Sequence, residues 1–109
     1  MTTQTPPRVR VPSTAKVNEI IEIKTLISHI METGFRHSTT GTPIPRDIIT
    51  EMTCSYNGEE IFRATLYPAI AANPFLTFHT VATESGQITF QWTGDNGFSE
   101  TATANITVD

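Results

Sequence analysis

The sequence is poor in several features that usually announce a function. It has one cysteine, Cys54, so no disulfide framework can form within the chain. No apolar run approaches the roughly 20 residues that a membrane-crossing helix needs. Seven Lys and Arg stand against eleven Asp and Glu, for a net charge of −4, and the cations are scattered along the chain. Nucleic acid and anionic membrane surfaces both favour a basic patch that releases counterions, so neither is expected as a partner. A GxSxG elbow, a phosphate loop and a dinucleotide fingerprint are all absent. Residues 1–7 show no basic segment followed by an apolar one, so no secretory signal is in view and the residues alone suggest the cytoplasm.

What is present is alternation with period 2. Residues 8–11 read as a short strand stopped by Pro12. Residues 19–27 alternate, with Ile21, Ile23, Thr25 and Ile27 on one side and Glu22 and Lys24 on the other. A long connection over 28–45 follows, then a strand over 48–56, the hairpin signal Asn57-Gly58, and a return strand over 60–66. Residues 75–82, 87–92 and 99–108 complete the set, and one-turn helices are conceivable at 45–49 and 69–72. Seven strands joined mostly by short turns predict an all-β, antiparallel, immunoglobulin-like β-sandwich over 8–109, preceded by a flexible tail over 1–7. Parity assigns its core to Ile21, Ile23, Ile27, Met52, Cys54, Leu76, Phe78, Ile88, Phe90, Trp92, Ala104, Ile106 and Val108.

Each candidate for chemistry has a plainer alternative. His29-x-Met31 puts a nitrogen and a soft sulfur on one side of an extended segment, a pairing that suits Cu(I), and His37 is a further ligand for such a metal module. Met52 and Cys54 share the core parity, however, and a superoxide-reductase-like iron centre uses four His and one Cys where this chain has three His. Cys54 has no helix N-terminus or Gly-rich turn beside it to make a thiolate. It reads as an inert core thiol, as a bond to a partner's cysteine, or, third, as a nucleophile. Glu59 and Glu60 are strand neighbours that point to opposite faces. No catalytic set, metal site or cofactor is therefore assigned, and the expectation is a protein that binds rather than reacts.

Two features point to a partner. The connection after Ile27 carries Ile30, Met31 and Phe35, which either cap the sandwich or form an interface. If Leu76 and Phe78 face inward, Phe75, His79 and Val81 face outward and leave one sheet partly apolar on its outer side.

The segments Ile20-Ile21-Glu22-Ile23-Lys24-Thr25-Leu26-Ile27-Ser28-His29 and Met31-Glu32-Thr33-Gly34-Phe35-Arg36 closely resemble the SoxZ family of bacterial thiosulfate-oxidation systems. So do Gly41, Ile44-Pro45-Arg46, Ile48-Ile49, Thr53-Cys54, Tyr56-Asn57-Gly58, Ala72-Asn73-Pro74, Ser85-Gly86, Phe90-Gln91-Trp92 and Thr101-Ala102-Thr103, in order across residues 8–108. The resemblance implies a non-catalytic subunit of a SoxYZ sulfur carrier complex. In that heterodimer SoxY bears the Gly-Gly-Cys-Gly-Gly arm whose cysteine carries the sulfur substrate to the other Sox enzymes. This chain has no such arm. It also implies the periplasm, reached by co-export with SoxY, which reverses the compartment read from the residues alone. Ile30 stands where relatives often have Pro. The expected contact surface is Met31, Glu32, Phe35, Arg36, Ile44, Pro45 and Arg46, with Phe75, His79 and Val81 as a second face. Arg36 and Arg46 are expected to grip partner carboxylates, Cys54 is a candidate for an inter-subunit disulfide, and the isolated chain is expected to pair with itself.

Overall fold

The computed structural model describes residues 6–109, so most of the tail expected over 1–7 lies outside the described residues. Among the described residues eight strands form two sheets: β1 (Arg8–Arg10), β2 (Thr14–Ala15), β3 (Glu19–Leu26), β4 (Ile49–Tyr56), β5 (Glu59–Thr65), β6 (Phe75–Ala82), β7 (Gly86–Gly94) and β8 (Ser99–Val108). One sheet runs β1-β3-β6 and the other β2-β8-β7-β4-β5. The added strand is β2. It is two residues long, too short for any periodicity to reveal, and it lies parallel to β8, so one pairing departs from the antiparallel expectation. Neither conceivable one-turn helix forms; the one helical turn among the described residues is a 3₁₀ turn at Asp95–Gly97.

Burial follows the alternation. Ile21, Ile23 and Thr25 of β3 and Phe78 and Ala82 of β6 face Met52, Cys54 and Tyr56 of β4, with Ile88, Phe90 and Trp92 of β7. Phe62 of β5 stacks on Phe78 of β6 at 4.0 Å between ring centroids, which joins the two sheets along one side. Leu76, Ala104 and Val108 are only half-buried, because they lie near the open margins of the sandwich. The hydroxyl of buried Thr25 donates to the Leu76 carbonyl at 3.1 Å, so this polar side chain enters the core already satisfied. The β4–β5 turn is Asn57-Gly58 with φ of 50° and 86°, a left-handed pair that matches strand twist. The long axis is 60 Å.

Candidate partner-binding surfaces

The connection over 28–48 is an irregular hairpin, not an open loop. Glu32 and Asp47 exchange two backbone hydrogen bonds at 2.8 Å, Ile44 N–H donates to the Arg36 carbonyl at 2.9 Å, and the chain turns back between Ser38 and Thr42. Gly34, with φ of 86°, makes this closure feasible: a Cβ there would sit 2.8 Å from that of Arg46. Arg46 donates to both carboxylate oxygens of Asp95, at 2.8 and 2.9 Å, and Asp95 also accepts the Ile48 N–H at 3.1 Å. Gly94 completes the node, since a Cβ at that position would lie 2.4 Å from the Ile48 carbonyl oxygen. The Arg46 guanidinium, followed by the Ile48 N–H, holds the Asp95 carboxyl below the usual carboxylate range.

These contacts correct several expectations. Met31 is 4% exposed, and its sulfur accepts the Ile49 N–H at 3.3 Å, so it caps the core and presents no partner surface. The position is enforced locally: Met31 has φ of 53° and its N–H donates to Nδ1 of His29, turning the side chain inward. Arg36 makes a bidentate pair with Glu32, and Arg46 one with Asp95, so both guanidiniums already have carboxylate partners in their own chain. Glu32 is largely covered and Ile44 is half-buried. Phe35, at 79% exposed, and Pro45 are the apolar residues of this set that reach solvent. Ile30, Tyr67 and Ile70 are exposed on loops at the same end of the sandwich.

Of the groups weighed for chemistry, His29 is engaged within its own loop and Cys54 is covered, while His37 is exposed. His29 uses Nδ1 on the Met31 N–H, stands edge-on to Phe98 at 4.8 Å and has Nε2 3.6 Å from Asp47. Among the described residues no group of three or more His, Cys, Asp or Glu is placed to hold a metal ion. Cys54 is fully buried, and desolvation pushes its thiol up to about 12. A disulfide to another subunit requires that thiol at a surface, and here it is a small core hydrophobe.

The outer face of the β1-β3-β6 sheet is different. Phe75, His79 and Val81 do point outward from β6, with Phe75 59% and Val81 42% exposed. Register places Ile20 opposite Val81, Glu22 opposite His79 and Leu26 opposite Phe75. Ile20, 70% exposed, joins this face although the sequence reading did not place it there; an Ile on the solvent parity of β3 is the signal for it. β6 is also an edge strand and carries no Lys, Arg, Asp, Glu or Pro, the residues that commonly block strand addition. β5, one edge of the other sheet, carries Glu59, Glu60 and Arg63.

The fold and this distribution of exposed apolar side chains define an immunoglobulin-like β-sandwich with an open sheet face and one apolar end. The chain matches the family model for sulphur oxidation protein SoxZ over residues 9–105. It belongs to the SoxZ family, and so to the sulfur-oxidation proteins of the Sox system. Among solved structures it is similar to the sulfur carrier protein SoxY from Chlorobium limicola f thiosulfatophilum, at 10% identity and TM-score 0.66, covering 96% of this chain and 80% of that one. It is also similar to a superoxide reductase (neelaredoxin) from Ignicoccus hospitalis, at 16% identity and TM-score 0.72, covering 97% and 82%. A putative superoxide reductase from Thermotoga maritima stands at 16% identity and TM-score 0.67, covering 98% and 88%. At these identities the likeness is one of fold. No curated protein matches the chain.

Proposed function

We propose that this chain is the non-catalytic subunit of a SoxYZ sulfur carrier complex in thiosulfate oxidation, binding and supporting SoxY in the periplasm. The observation that carries the reading is the state of the single thiol. A carrier of covalent sulfur needs an accessible cysteine, and Cys54 is fully buried with its ionisation suppressed. The sulfur is therefore borne by the partner, and this subunit contributes surface. Membership of the SoxZ family supports the same division of labour. The outer face bearing Ile20, Phe75 and Val81, beside the unguarded β6 edge, is the surface offered to SoxY; the end bearing Ile30, Phe35 and Tyr67 is left for the other Sox enzymes. Alone, the same sheet face pairs two copies of the chain.

The test is the mass in solution of the chain mixed with purified SoxY. A one-to-one complex is expected, and two independent monomers at micromolar concentration would overturn the proposal. Fractionation of cells tests the compartment: periplasmic chain that disappears when the SoxY signal is deleted is expected, and export without SoxY would refute co-export.

A further inference from the structure

The cations that look scattered along the sequence are gathered by the fold. Arg8 pairs with Leu26 and Leu26 with Phe75, so these three residues form one row across the outer face of the three-stranded sheet. Arg10, Lys24 and Thr77 form the next row. Three of the seven cations of a chain with net charge −4 thus share one small area. Three others, Arg36, Arg46 and Arg63, are each neutralised by carboxylates of their own chain. Arg8 and Arg10 form no ion pair among the described residues. Lys24 has Glu22 at 3.4 Å, an exposed pair of the weak kind that a better acceptor displaces.

These residues border an open groove of about 680 Å³, walled by Leu26 and Phe75 on one side and reaching Thr103 of β8 on the other. That volume is in the range of sites that enclose a drug-sized ligand and is far larger than one oxyanion requires. Arg8 and Arg10 are two positions apart on a strand, about 7 Å, which is the repeat of side chains on one face of an extended peptide. Arginine accepts a carboxylate through two parallel N–H bonds, while exposed Phe75 and half-buried Leu26 offer an apolar seat in the same row as Arg8.

We infer that this groove docks an extended acidic segment of a protein partner, with carboxylates at alternate positions and an apolar side chain beside them. Charge complementarity selects that occupant. Two free guanidiniums on a surface otherwise net negative attract a carboxylate-bearing strand, and three cations are too few for the phosphate contacts that hold nucleic acid. The groove shares Phe75 with the face offered to SoxY, so the inference rests on that reading for its occupant; the peptide test uses the chain alone, so its failure is separable from failure of the heterodimer.

The test uses the intact chain and a fluorescent synthetic peptide in which Glu alternates with Thr and ends on Phe, followed by anisotropy. Saturable binding that weakens with salt is expected, with a loss of about tenfold or more in the double variant Arg8→Glu, Arg10→Glu. The milder Arg8→Gln, Arg10→Gln pair and an unchanged far-ultraviolet dichroism guard against misfolding. Lys16→Glu makes the same kind of charge change just after β2, at a residue that does not line the groove, and leaves binding intact. Equal loss with Lys16→Glu, no saturable binding, equal binding of a Lys-for-Glu peptide, competition by free sulfate at matched concentration, or a preference for phosphatidylglycerol vesicles would each overturn the inference.

Discussion

The Cys54 thiol lies between Met52 and Tyr56 on the inward side of β4, where desolvation moves it from an ordinary value near 9 up to about 12. In the folded chain it stays neutral while the unfolded chain ionises, so folding stability falls as pH rises from about 9 toward about 12. The contribution is complete below pH 9. Urea unfolding across that window should show a steeper decline for the parent chain than for Cys54→Ala; identical slopes would mean that the thiol is not desolvated. Its alternation with Met52 pointed to the core from the outset. For Met31 the opposite happened, because the inward turn depends on a left-handed backbone angle and a hydrogen bond to His29, neither of which a periodicity registers.

At the level of elements, β3 and β6 do two jobs with opposite parities. Their odd and even positions respectively, Ile21 and Ile23 against Leu76 and Phe78, build the core. The complementary positions place Ile20, Phe75 and Val81 on the outer face. Val81→Lys changes an exposed side chain on that face and adds a charge to an edge that has none. It should weaken SoxY association by about thirtyfold, as loss of a central interface contact does, while the urea midpoint stays within error. Undiminished association would move the interface to the Phe35 end. The alternation is legible in the sequence, and so are the inward positions and the outward Phe75, His79 and Val81, though Ile20 joined that face only in the structure. The hairpin over 28–48 was not, because its closure is made by Gly34 against Arg46 and by Asp95 from a turn 49 positions away from Arg46.

Across the whole molecule, three carboxylates are held below their ordinary range by arginine: Glu32 by Arg36, Glu60 by Arg63 and Asp95 by Arg46. Each contributes stability that is present above the unfolded carboxylate value, about 4, and is lost as pH falls through the depressed folded value. These three pairs should therefore weaken as pH falls below about 4. Replacing Asp95 by Asn should lower the melting temperature at neutral pH and flatten the acid limb; an unaltered limb would show that the Arg46 pair contributes nothing.

The small β domain and most of its inward-facing residues were already written in the order of side chains, because strand alternation and turn chemistry act between near neighbours. The SoxZ resemblance rested on the same linear order. Which arginines are free and which are spoken for depended on contacts between distant segments. Arg36 and Arg46 turned inward to their own carboxylates, while Arg8, Arg10 and Lys24 came together only when β1 paired with β3. Charge acts through space over a few ångströms, so a cationic groove exists only once the sheet has brought its members into register.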